Sequence, residues 1–135
     1  MNRVSFTAKT ITYEIIKDTH FVCISPASGK LGYCILSRVI QGISDDEGVY
    51  LEFFHELASG YDLVSILEMH RDKIIVSFKK PFVKITGIDI ALDIDDASFE
   101  KMIDGINNIF QDKTDQVVNY TTISLTEPRV RGPVD

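Results

Sequence analysis

Apolar and polar positions alternate most clearly between Val49 and Phe110, and there the pattern changes from a period of two to a helical one. In Gly87 to Ile94 the apolar residues Ile88, Ile90, Leu92 and Ile94 are spaced by Asp89, Ala91 and Asp93, as in a strand with one face buried and the other wet. Asp95 and Asp96 then offer an N-cap and a negative first turn, and Phe99, Met102, Ile103, Ile106 and Phe110 recur along one helical stripe. The stretch reads as four strands (Val49 to Phe54, Leu63 to Met69, Lys73 to Lys79, Gly87 to Ile94) followed by one amphipathic helix. Leu57 to Tyr61 is expected to be the turn between the first two, and His70-Arg71-Asp72 the turn into the third.

Upstream, Ile11 to Ile16 and His20 to Ser25 predict a hairpin through the polar Lys17-Asp18-Thr19, and Val4 to Ala8 is a candidate edge strand. Ser25 to Gly32 has loop composition. Tyr33 to Ile40 is compatible with strand or helix, strand being favoured. Gln41 to Gly48, with its acidic triplet Asp45-Asp46-Glu47, reads as an exposed connection. Val117 to Leu125 is rich enough in Val, Thr, Tyr and Ile for a closing strand, and residues 127–135 are expected to be an irregular tail. The expected fold is a single α+β domain spanning residues 1–135. In it one antiparallel sheet of about six to eight strands carries the Phe99–Phe110 helix, with Ile74, Val76, Phe78, Ile90 and Leu92 beneath the apolar stripe.

With 135 residues, 44% of them hydrophobic, the chain can bury one core but hardly two. No run approaches the roughly 20 apolar residues of a membrane span, and the amino terminus lacks an apolar signal region, so a cytoplasmic protein is expected. Cys23 and Cys34 lie in apolar strand-like runs and read as two reduced, buried thiols. Twenty acidic against fourteen basic residues give a net charge of -6, which disfavours direct binding to nucleic acid and suits a basic partner.

Short matches to catalytic motifs lose to plainer explanations. Asp93-Ile94-Asp95-Asp96 follows a strand as the carboxylates of haloacid-dehalogenase-type phosphatases do, yet the long parallel α/β domain of those enzymes has no room after it. As a calcium loop it fails at Ala97, where an oxygen ligand belongs. His70-Arg71-Asp72 lacks the downstream metal-binding set of a kinase loop, and Ser28-Gly29-Lys30 lacks the first glycine of a phosphate loop, where Ile24 stands. His20, His55 and His70 are too scattered to suggest a zinc or acid/base group, so no catalytic residue, metal or cofactor is expected.

Tyr50 to Tyr61, Leu67 to Ile74 and Ile90 to Phe110 together resemble the immunity-protein family numbered ten among bacterial polymorphic toxin systems. The likeness covers about half the chain. It rests on a strand bearing Glu52, the Gly60-Tyr61 pair, the Arg71-Asp72 turn, the Leu92-Asp93-Ile94-Asp95-Asp96 junction and a closing Ile109-Phe110. His55-Glu56 stands where the family pattern has an Asp-Gln pair. The resemblance implies an antitoxin, a monomer or weak dimer when free, that protects the producing cell by blocking the carboxyl-terminal domain of a cognate toxin, for example one delivered by contact-dependent growth inhibition. A basic nuclease is the expected target, because an acidic surface complements a phosphate-binding cleft. The candidate toxin-binding residues are Asp45, Asp46, Glu47, Glu52, Glu56 and Asp62. A small enzyme with a dispersed active site and a structural subunit of a larger complex are the alternative readings.

Overall fold

A computed structural model describes residues 2–40 and 48–120, and the side chains of residues 55–57 lie outside that description. The described chain folds as α+β, with two five-stranded sheets and one α-helix around a common core. The first sheet is a meander in chain order: β2 (Thr10–Ile16), β3 (Thr19–Ser25), β4 (Cys34–Val39), β5 (Tyr50–Phe53) and β6 (His55–Tyr61), every pair antiparallel. In the second sheet β7 (Val64–Met69), β8 (Lys73–Phe82) and β9 (Ile85–Leu92) form a second meander. β1 (Asn2–Ala8) is added in parallel beside β9, and β10 (Val117–Asn119) in parallel beside β7. The candidate edge strand at Val4 to Ala8 is therefore an edge strand, although of the sheet that the following hairpin does not belong to.

Two crossovers join the sheets, and each is held by polar contacts. At the first, the Lys9 amide donates to the Ser25 carbonyl while the Lys9 ammonium pairs with Asp93. At the second, Asp62 takes a left-handed backbone (φ 60°), its carboxylate accepts from Lys79 Nζ at 2.7 Å, and the Lys79 amide donates to the Leu63 carbonyl.

The expected turn at Leu57 to Tyr61 is instead strand β6, with Leu51 opposite Gly60 and Tyr50 opposite Tyr61. Small residues at 58–60 imitate a turn. The actual reversal falls at Phe54, which has φ 62°, donates its amide to the Tyr33 carbonyl, and packs edge-on to Phe6 at 5.7 Å. An aromatic residue is rare in this backbone region, and the ring contact offsets a conformation that costs on the order of 1 kcal/mol.

Helix α1 (Asp96–Ile109) starts as its sequence indicates, with Asp95 accepting the Ser98 amide at 2.8 Å and Asp96 in the first turn. That bond holds the Asp95 carboxyl below the usual carboxylate range. Phe99, Met102, Ile106, Ile109 and Phe110 are buried and Ile103 is half-buried. The sheet beneath is not the expected one. The helix lies against β2, β3 and β4 of the first sheet, while Ile74, Val76, Phe78, Ile90 and Leu92 line the inner face of the second. Gly105 permits this approach, since a Cβ there would stand 2.4 Å from Val22 Cγ2 and 3.0 Å from the Tyr13 ring.

One helix end is tied to a strand and the other to the β7–β8 turn. No basic residue lies in the last turn, and the need is met from β4: buried Arg38 donates to the Ile109 carbonyl at 3.0 Å and pairs with Asp112. The guanidinium holds the Asp112 carboxyl below its ordinary value. At the other end Arg71 pairs with Asp96 at 2.8 Å, donates to the Ile94 carbonyl and lies over the Phe99 ring. Cys34 is wholly buried, whereas Cys23 is half-buried on the opposite side of the sheet, so the expectation of two buried thiols holds for one of them.

Candidate interaction surface

Tyr13 and Val22 face the helix, so strand alternation fixes which residues of the first sheet point the other way. Register then places them in rows across the strands. One row runs Thr12, Cys23, Ile35, Glu52, Ser59, and the next Glu14, Phe21, Ser37, Tyr50, Tyr61. Ile16 and Val39, at one end of the face, are 55% and 37% exposed, and Tyr61 is 52% exposed. The result is a mixed polar and aromatic sheet face turned away from the helix, bearing the rings of Phe21, Tyr50 and Tyr61, with one carboxylate, Glu14, on edge strand β2 and another, Glu52, on β5.

The Glu52 carboxylate is held in a fixed orientation. Tyr33, two residues before Ile35, donates its hydroxyl to Glu52 Oε2 at 2.6 Å, and Tyr50 donates to Glu52 Oε1 at 2.6 Å. Bonding to Glu52 is the main reason the Tyr50 hydroxyl sits above its ordinary value, partly opposed by a hydrogen bond with Ser59. Tyr61 meets Tyr50 edge to face, their centroids 5.3 Å apart. The two hydroxyls fix the plane of the carboxylate without cancelling its charge.

Of the six sequence-derived candidates, Glu52 lies on this face, on β5 beside the edge strand β6. Asp62 stands at the crossover beyond Tyr61, ion-paired with Lys79, so its charge is shared with the second sheet. Glu56 belongs to β6, and its side chain lies outside the described residues, as do Asp45, Asp46 and Glu47 altogether. The structure therefore does not bring the six together as one described cluster. Sequence reasoning missed Tyr33, Tyr50, Ser59 and Tyr61. The Tyr50/Glu52 spacing of two was the available signal, but reading Gly60-Tyr61 as a turn hid the partner strand.

The other residues that carry the family resemblance have structural duties. Gly60 sits within β6, Arg71 bridges to the helix, the Asp72 carbonyl accepts from the Leu92 amide, and Phe110 is buried at the helix end. His20 accepts or donates a short hydrogen bond with the Tyr13 hydroxyl, and His70 stacks on Tyr120 beside Glu68. A shallow depression of about 500 Å³ lies across β1, β9 and β8, lined by Ser5, Thr7, Lys73, Asp89 and Ala91 among others. Among the described residues no group of three or more His, Cys, Asp or Glu side chains could hold a metal ion, and no helix is long and apolar enough to cross a membrane. No protein-family model and no curated protein matches the chain.

Proposed function

We infer that the protein is an immunity protein: it binds the carboxyl-terminal domain of a cognate toxin in the cytoplasm and blocks it, without catalysing a reaction itself. The observation that carries this reading is the Tyr33–Glu52–Tyr50 arrangement on an aromatic sheet face. Tyrosine-rich, rigid and half-buried surroundings are the composition of energetic centres in protein interfaces, and a carboxylate fixed before binding loses little entropy on pairing. The resemblance to the immunity family and the net charge of -6 support it independently.

The target in this proposal is a basic toxin domain, a nuclease. An enzyme that gathers phosphates with Lys and Arg offers the field an acidic protein can follow, which speeds encounter and lets the inhibitor occupy the cleft. Glu52 supplies the central contact, and Asp45, Asp46 and Glu47 keep their part in the proposal on sequence grounds.

The test begins with the neighbouring open reading frames. The carboxyl-terminal domain of an adjacent large secreted protein is expressed with and without this chain, and survival is expected only with it. Reversing Glu52 to Lys should abolish protection while the thermal midpoint stays within a few degrees. Association measured in vitro should slow by about tenfold or more from low to high salt. Growth arrest undiminished by the chain, or protection indifferent to Glu52→Lys, would refute the reading.

A further inference from the structure

We propose that β2 is a docking edge for a second copy of the chain: two β2 strands pair antiparallel about a two-fold axis at Tyr13, joining the five-stranded sheets of the two copies edge to edge. The proposal is independent of the toxin-binding reading and leaves the Glu52 face uncovered. β2 ends the first sheet, and among the described residues no backbone group bonds to its outer side. Proteins ordinarily blunt such an edge with proline, lysine, a bulge or shortness. Thr10–Ile16 has none of these, being seven residues in unbroken register with β3 and free of Pro, Gly, Lys and Arg. The other edges are blunted: β1 and β6 meet their neighbours through register shifts, and β10 has three residues. Ile15 and Ile16, on opposite faces of β2, are 57% and 55% exposed.

The strand also matches itself. With Tyr13 on the axis, Ile15 lies opposite Ile11 of the second copy, Ile16 opposite its Thr10 and Glu14 opposite its Thr12, so no like charges face each other within the strand. An axis at Thr12 would set Ile15 against Lys9, and one at Glu14 would oppose two carboxylates. Beyond the strand, Lys17 comes beside Lys9 of the second copy, whose charge is already matched by Asp93.

The helix adds a second layer. Gly105 rests on both Tyr13 and Val22, so α1 lies above the gap between β2 and β3. Strands are spaced about 4.8 Å, which puts the helix about 2.4 Å inside β2 and the axis as far outside it. The two helices are then about 10 Å apart, the distance at which helices pack. Asn108, which donates to the Tyr13 hydroxyl at 2.8 Å, marks the flank turned towards the edge. Lys101 and Asp104 share that flank, are exposed and have no ionic partner among the described residues, so each can pair with its opposite across the axis. A seven-residue seam alone falls short of the roughly 1,200 Å² of a stable interface, and the helix flanks make up the difference.

Sedimentation equilibrium should find a monomer at about 1 µM and a dimer at about 500 µM, for a dissociation constant on the order of 10 µM. In a dimer mixed from labelled and unlabelled copies, isotope-filtered nuclear Overhauser contacts between the Ile11 and Ile15 methyl groups are expected. Within one strand those residues are about 13 Å apart, too far for such a contact. Ile15→Lys should weaken the dimer by about tenfold or more, while the thermal midpoint of the dilute monomer stays within a few degrees. Should that variant fail to fold, Ile16→Lys on the other face replaces it, with a severalfold loss expected. A monomer at about 500 µM, or a dimer that lacks the Ile11–Ile15 contact or is unmoved by the lysine variants, would overturn the proposal. So would β2 amides that gain exchange protection only when toxin is added, because a toxin strand would then be the occupant. Toxin neutralisation by a protein that stays monomeric would sink this proposal alone.

Discussion

Replacing Gly105 by Ala sets helix propensity against packing, and the structure decides the sign. In an isolated helix the change is favourable by about 1 kcal/mol. Here the new methyl would stand 2.4 Å from Val22 Cγ2 and 3.0 Å from Tyr13 Cδ1 and Cγ, where carbon atoms prefer about 3.5–4.0 Å. Neither neighbour yields easily. Val22 is wholly buried, and the Tyr13 hydroxyl is bonded to both His20 and Asn108. Overpacking of this kind costs about 1–3 kcal/mol, and two immobile neighbours place it in the upper half of that range. The net expectation is a loss of about 1–2 kcal/mol, or on the order of 5 °C in thermal midpoint. Urea denaturation followed by far-ultraviolet circular dichroism measures it. Asn107→Ala, on the exposed face of the same turn, is the control and should gain a few tenths of a kcal/mol. Val22→Ala in the Gly105→Ala background should recover about 1 kcal/mol or more in a double-mutant cycle. A Gly105→Ala protein as stable as the parent, or one uncoupled from Val22, would show that the helix does not rest on β2 and β3.

Phe99→Ala should cost about 3 kcal/mol by denaturation, since the ring is 7% exposed and also carries the Arg71 guanidinium; an unchanged midpoint would remove it from the core. Arg38→Met should cost about 2 kcal/mol by leaving the Ile109 carbonyl without its charged donor, and helix amide exchange near residue 109 should rise with it. Asp112→Asn should cost at most about 1 kcal/mol at neutral pH because Asp112 is 63% exposed. Its carboxyl is depressed in the folded state, so the parent's advantage over this variant is present above the ordinary carboxylate value and fades as pH falls through the depressed one; an advantage that grows in acid would refute the pairing. A thiol reagent should modify Cys23 in the native protein and Cys34 only on unfolding, as burial pushes the Cys34 thiol up to about 12; simultaneous reaction of both would contradict the placement.

The strands and the helix were legible wherever alternation or a cap states the local choice. Ile88 to Leu92 announces one buried face, and Asp95 announces the helix start. What could not be read were decisions made between distant segments. Nothing in Phe99 to Phe110 says which of two apolar sheet faces it will cover, because Val22 and Val76 are equally suitable greasy partners; the missing Cβ at Gly105 was the only local hint of a close approach. The β6 strand was lost for a similar reason, since Ala58-Ser59-Gly60 has turn composition and its pairing with β5 is set by the reversal at Phe54. Glu52 could be chosen from its charge and strand position. Its tyrosine frame could not, as Tyr33 belongs to another strand and Tyr61 to one misread as a loop.

Synthesis of the chain from its amino terminus exposes a cost in the way α1 covers the first sheet. The β2–β6 meander is complete by residue 61, formed from neighbouring hairpins that close early, yet its lid is encoded at residues 96–109. Until those residues emerge, Ile11, Val22, Ile24 and Leu36 form an apolar floor that awaits its helix. A chain cut short before residue 96 has all nine preceding strands and no cover for that floor, so it should aggregate or be degraded, not persist as a weaker version of the protein. Mature protein is thus produced in effect all or none, with the decision taken as residues 96–109 are translated.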